Sequence, residues 1–143
     1  MNLAVLYEMQ EQKKRRAEVT FGDKTLTPHQ VRMYRTLKEA IRTRVGVLHP
    51  STLNALRGSG KTMVLLKLAE ELDVPLVTNH SLGRILRRDY PHLTLITPGE
   101  TARLRGSRYR GVLVDEYVDL NRIDPGIRIL TGINRRNDNN DNY

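Results

Sequence analysis

The chain has 143 residues, a formal net charge of +8 from 24 Lys and Arg against 16 Asp and Glu, and no cysteine. That length builds one domain with a real core and leaves no room for two. Disulfides and thiolate metal sites are excluded, the four histidines (His29, His49, His80, His92) show no ligand spacing, and no apolar run approaches the roughly 18 residues that cross a bilayer.

Taken in order, residues 2–18 read as a helix in which Leu3, Val5, Leu6 and Met9 offer a short apolar face. Its basic block, Lys13-Lys14-Arg15-Arg16, either touches nucleic acid or ends a solvated helix. Phe21-Gly22-Asp23-Lys24 is a turn. Thr27 then caps a second helix with Pro28 at its first position, and Thr27-x-x-Gln30 completes a capping box. Val31, Tyr34, Leu37, Ile41 and Val45 recur at helical spacing and are expected to face the core. A strand belongs in residues 46–56, although Pro50, Ser51 and Asn54 make its second half poor in strand propensity.

The stretch Ala55-Leu56-Arg57-Gly58-Ser59-Gly60-Lys61-Thr62 organises the rest. Small residues let backbone N–H groups wrap a phosphate, Lys61 reaches the β- and γ-phosphates, and the Thr62 hydroxyl suits Mg²⁺. The plain alternative is a Gly-Ser-Gly turn ahead of a helix; against it, Met63–Ala69 supplies the buried helix such a loop requires, ending near Asp73. Apolar runs at 74–78, 93–97 and 111–115 then alternate with helical segments at 82–88 and 100–104, a pattern for a parallel sheet covered on both faces. The last run, Val112-Leu113-Val114-Asp115-Glu116, delivers two carboxylates to a strand end. A Walker-B reading gives Asp115 the water shell of Mg²⁺ and Glu116 the polarising of an attacking water, and the plain alternative is an ordinary surface turn. Asp115 follows Thr62 by 53 residues.

Positive charge is concentrated at Arg84, Arg87, Arg88, Arg103, Arg105, Arg108 and Arg110, opposed in that stretch only by Asp89 and Glu100. Arg84 and Arg88 share a helix face and are placed to grip one nucleic-acid backbone; the bland reading is a basic solvated surface.

These motifs resemble a known group. With Ala55 in place of the usual Gly, A-x-x-G-x-G-K-T is the loop form of superfamily-one and superfamily-two helicases, and Arg57–Thr62 also resembles the loop of viral DNA-packaging (large terminase) ATPases. Phe21 followed by Leu26-Thr27-Pro28-His29-Gln30 is similar to the Q motif, in which the Gln reads the adenine edge and the aromatic stacks on the base. Thr97-Pro98-Gly99 resembles a helicase motif that holds a nucleic-acid backbone, and Ile127–Asn134 resembles a sensor strand whose Thr131 or Asn134 faces the γ-phosphate.

The resemblance implies an α/β, three-layer P-loop NTPase with a RecA-like core and a central, mostly parallel sheet, the sensor strand lying between the loop strand and the Asp-Glu strand. It divides the chain into an N-terminal basic helix (1–20), an ATPase domain (21–134) and a disordered polar tail (135–143). ATP and Mg²⁺ are the implied ligands. Catalysis falls to Lys61, Glu116 and Arg57; nucleotide binding to Gly58, Ser59, Gly60, Lys61, Thr62, Gln30, Phe21 and Thr131; metal to Thr62 and Asp115. Nucleic acid, DNA more than RNA, falls to Arg84, Arg87, Arg88, Thr97, Gly99, Arg103 and Arg105.

Departures from the pattern are plain. There is no room for a second helicase lobe or a nuclease domain, the interval between the two motifs is short, and Glu116-Tyr117-Val118 is not Asp-Glu-Ala-Asp. Hydrolysis without a second lobe is expected to be slow. It would need Arg57 in cis, or Arg128, Arg135 or Arg136 reaching a neighbouring subunit, or a partner protein with an arginine finger. Two other functions fit the loop: a non-hydrolysing, nucleotide-gated assembly protein of a virus or mobile element, and a nucleotide kinase, for which no acceptor stretch stands out. A cytoplasmic location, in the host if the gene is viral, is expected.

Overall fold

The computed structural model describes residues 2–55 and 60–135, with the side chains of 11–17 left aside. Arg57, Gly58, Ser59, Arg136 and the polar tail beyond Arg135 lie outside the described residues.

Alternation along five short strands divides the core. After α1 (Leu3–Ala17) and a hairpin of β1 (Thr20–Phe21) and β2 (Lys24–Thr25), the chain runs α2 (Pro28–Thr43), β3 (Val47–Leu48), α3 (Lys61–Leu72), β4 (Leu76–Val77), α4 (His80–Asp89), β5 (Leu95–Ile96), β6 (Val112–Val114) and β7 (Ile129–Ile133). β3 to β7 form one parallel sheet in the order β3-β7-β6-β4-β5. On one face Leu48, Leu76, Leu95, Leu113, Leu130 and Ile133 meet residues of α2, α3 and α4, including Met33, Leu37, Leu65, Leu68 and Leu86. On the other, Val77, Val112 and Val114, with Val47, Ile96 and Ile129, meet Val118, Ile123, Leu104 and Leu120. Each such side chain removed from water contributes about 1.5–3 kcal/mol. Both faces are covered, as expected, but the second layer is made of 3₁₀ turns (Pro98–Leu104 and Leu120–Arg122) instead of α-helices.

The expected strand order holds: β7 sits between β3 and β6. The expected capping box also forms, Gln30 N–H donating to Thr27 Oγ1 (3.1 Å) and Thr27 N–H to Gln30 Oε1 (2.9 Å). The buried face of α2 is corrected: it carries Gln30, Met33, Tyr34, Leu37 and Ala40, whereas Val45 is 64% exposed. Arg44 closes the helix in the left-handed conformation (φ 58°), so Val45 never continues the helical stripe. The strand expected within 46–56 shrinks to Val47–Leu48, because Pro50 opens a 3₁₀ turn that Asn54 closes at φ 51°. α1 leaves Leu3, Val5, Leu6 and Met9 exposed. No helix among the described residues is long and apolar enough to cross a membrane.

Candidate functional site at the carboxyl edge of the sheet

Parallel strands end together, so the residues just beyond each strand converge on one edge. β6 delivers Asp115 and Glu116 there, 3% and 7% exposed. The delivery depends on a close approach: Val114 pairs with Gly132 of β7, and a Cβ on Gly132 would lie 2.3 Å from the Val114 carbonyl oxygen. Immediately past β7, Asn134 is fully buried. Its Nδ2 donates to the carbonyls of Asp115 (3.1 Å) and Val118 (3.0 Å), and its N–H to that of Leu48 (2.9 Å). The amide side chain therefore fixes the turn beyond β6 to the end of β7, and the backbone of the same residue ties that end to β3.

Lys61 enters as the first residue of α3, after Gly60 in the left-handed conformation (φ 81°). It is buried, with Nζ 3.5 Å from Glu116 Oε2 and donating at 3.5 Å to the Ala55 carbonyl. A buried ammonium demands such partners. Gln30 braces this corner: Nε2 donates to the Gly60 carbonyl (3.3 Å), and a Cβ on Gly60 would sit 2.1 Å from that nitrogen. Gln30 thus ties the start of α2 to the start of α3, and both ends of its amide already have protein partners.

The second Glu116 oxygen faces Arg135, whose Nε is 2.7 Å from Oε1. Charge attraction is the main part of this contact, and the guanidinium also meets the Tyr117 hydroxyl. That attraction holds the Arg135 guanidinium above its ordinary pKa. Beside the pair, burial pushes Asp115 up to about 6, opposed by a hydrogen bond from the backbone of Glu116 and by the charge of Lys61. A buried carboxylate in that condition gains from any cation brought to it.

The structure brings Lys61, Asp115 and Glu116 together, and Gln30 lies on the Gly60 carbonyl, one residue before Lys61. Thr62 is the next residue of α3 and is partly exposed. Two expected nucleotide contacts are corrected. Phe21 is 4% exposed with its ring 5.4 Å from that of Tyr90, a core aromatic with no face left for a base. Thr131 is fully buried in β7 and its Oγ1 donates to the Gly46 carbonyl (2.7 Å), since the side chain points to the chain entering β3; Asn134 holds the strand end instead. Arg135, expected to reach a neighbouring subunit, lies on Glu116 of its own chain. Its position directly after the sensor-like strand was the signal available in the sequence.

Most of the arginine cluster is engaged internally. Arg87 pairs with Glu100 (3.2 Å) and donates to the Leu95 carbonyl, Arg103 pairs with Glu100 (3.4 Å), and Arg88 with Asp89 (3.7 Å). Asp124 takes Arg105 through two contacts (2.9 and 2.5 Å), and Asp73 takes Arg108. Folding thus recruits two carboxylates from outside the stretch, and the local excess of charge is smaller than the sequence suggests. Arg84 is exposed and makes no ion pair among the described residues. Thr97 is bound to Glu100 through both N–H and hydroxyl. Thr97 and Gly99 line an open cleft of about 360 Å³ with Asn79, His80, Arg122 and Tyr117, the residue after Glu116.

No family model matches this chain, and no curated protein or solved structure matches it.

Proposed function

We propose that the chain is a Mg²⁺-dependent ATPase of the P-loop type with a RecA-like core, acting on nucleic acid as a single motor lobe similar to those of helicases and packaging enzymes. The observation that carries this reading is the meeting of Lys61 and Glu116, 55 positions apart in sequence, at 3.5 Å beside buried Asp115 on the carboxyl edge of a parallel sheet. The position of β7 between β3 and β6 supports the RecA-like core.

Among the described residues there is no group of three or more His, Asp or Glu able to hold a metal. Magnesium suits that economy, since it keeps most of its waters and takes one or two protein ligands beside phosphate oxygens. Thr62 and Asp115 would hold it, and the proton affinity of Asp115 fits a carboxylate awaiting a cation. Bound there, the ion would neutralise charge on the phosphates. Lys61 binds the phosphates and stabilises the charge that develops on the transferred group, and Glu116 accepts the proton of the attacking water. The cleft of Thr97, Gly99 and Tyr117 offers the nucleic acid an exposed aromatic beside Glu116.

The test is steady-state ATP hydrolysis with Mg²⁺, with and without single- and double-stranded DNA and RNA, in the wild type, Lys61→Ala and Glu116→Gln. Turnover that rises with one nucleic acid and vanishes in both variants supports the proposal. The second reading, a nucleotide-gated assembly protein that does not hydrolyse, is favoured by the clamping of Glu116 between two cations. Nucleotide binding with no turnover under any condition would select it.

A further inference from the structure

Glu116 is shared by two cations of different standing. Oε2 faces Lys61 and Oε1 faces Arg135. The side chains of Lys61 and Glu116 are 9% and 6% exposed, whereas that of Arg135 is 51% exposed. The ammonium is therefore fixed in the interior and the guanidinium stands at the surface, one carboxyl group away from it. The outer contact is held mainly by charge attraction, and with half of its surface in solvent the guanidinium can turn toward a stronger anion that arrives beside it.

An anion seated on Lys61 alters this balance. A phosphoryl group is bulkier than a carboxyl, bears more charge and presents three oxygens in a geometry the guanidinium fork matches. It displaces Glu116 as the common partner of both cations. Resting on the reading above, we infer that Arg135 is the residue of this chain that recognises the γ-phosphate. Without nucleotide it is parked on Glu116; with a triphosphate bound it turns to the terminal phosphate and leaves Oε1 open to water. The same movement makes Arg135 distinguish triphosphate from diphosphate, because the phosphoryl group that draws it off Glu116 is the γ, and a diphosphate ends at the β-phosphate, which Lys61 holds without Arg135. Arg135 acts within its own chain, so the discrimination needs no second subunit.

Calorimetric titration of the full chain with Mg²⁺ and either ADP or a non-hydrolysable ATP analogue tests this in the wild type, Arg135→Gln and Arg135→Lys. Arg135→Gln is expected to weaken the triphosphate by about tenfold, the worth of one charge-assisted contact, while ADP affinity stays within about twofold. Arg135→Lys should recover part of the triphosphate affinity, and the loss should not depend on protein concentration. Equal weakening of both nucleotides, or of neither, overturns the inference and leaves the ATPase reading intact. A loss confined to concentrations at which the chain self-associates places Arg135 on a neighbour and also overturns it. If the wild type binds neither nucleotide, the reading beneath it falls. Thermal melting of Arg135→Gln and Arg135→Lys checks that each variant is folded at the temperature of the titration, so that a lost affinity reports recognition and not unfolding.

Discussion

Charged side chains are handled in opposite ways at the end of β6 and in the residues that lead into it. Beyond β6, Lys61, Asp115 and Glu116 are all under 10% exposed and crowd together, at the expense of a proton affinity in Asp115 far above the ordinary carboxylate range. Ahead of β6, Arg103, Arg105 and Arg108 lie in solvent, each matched to a carboxylate. Exposed pairs of the second kind contribute little to stability because water screens them. Buried charges of the first kind cost free energy to desolvate, and strongly perturbed groups gather at functional sites. The contrast therefore points to the buried edge as the working site and to the arginine surface as mostly self-satisfied.

The sharpest way to break the contrast is to remove its buried members. Lys61→Ala and Glu116→Gln should each lower ATP turnover by at least about 100-fold, as expected for a stabilising charge and for a general base. Arg105→Ala, on the self-satisfied surface, should leave basal turnover without nucleic acid within about twofold. Equal losses in all three variants, read in the same hydrolysis assay, would erase the distinction between the two regions.

Next in size is the backbone approach that brings the carboxylates to their place. Gly132→Ala drives a methyl group to 2.3 Å from the Val114 carbonyl oxygen and 2.9 Å from its nitrogen, backbone atoms that cannot retreat within a paired strand. A loss of about 3 kcal/mol or more is expected in denaturant unfolding. Gly99→Ala is the matched control, because nothing lies within 4 Å of the added atom. It should be near neutral.

What could be read from residues alone divides along a similar line. Local rules found the Thr27-Gln30 cap, the helix that starts at Lys61 and the apolar strand before Asp115-Glu116, because each depends on spacing or propensity; the strand order came only from the resemblance to helicase and packaging ATPases. Phe21 and Thr131 were misplaced because their residue types suit a nucleotide equally well as a core, and only the fold sets Phe21 against Tyr90 and aims Thr131 at Gly46. The arginine cluster was overestimated for another reason. Its neutralising partners, Asp73 and Asp124, lie 35 and 19 residues from the arginines they meet, a distance no count along the chain reveals.

Asp115 gives a smaller but cleaner effect, measured in chelator without nucleotide. Its folded pKa of about 6 lies above the unfolded value, so its charge opposes folding above pH 6. Protonation of the folded state relieves that cost as pH falls from about 6 to 4. Asp115→Asn should consequently be more stable than the wild type by about 2 to 3 kcal/mol at pH 7 and indistinguishable from it near pH 4, by unfolding measured across that range. Adding Mg²⁺ with nucleotide should reverse the order at pH 7, since only the wild type then has its cation.

The smallest effect concerns nucleic acid. If the chain binds a duplex through phosphates, log affinity falls with log salt by about 0.9 for each phosphate neutralised. Arg84 makes no ion pair among the described residues, so a phosphate would be its first strong partner. Arg105 already holds Asp124 through two contacts and would have to surrender them. Arg84→Ala should therefore reduce the slope by about 0.9 and Arg105→Ala should leave it unchanged, by fluorescence anisotropy of a labelled duplex over a salt series. Equal reductions would mean that the paired arginines let go of their carboxylates when a polyanion arrives. In that case the surface ahead of β6 is as much a reserve of charge as the buried edge beyond it.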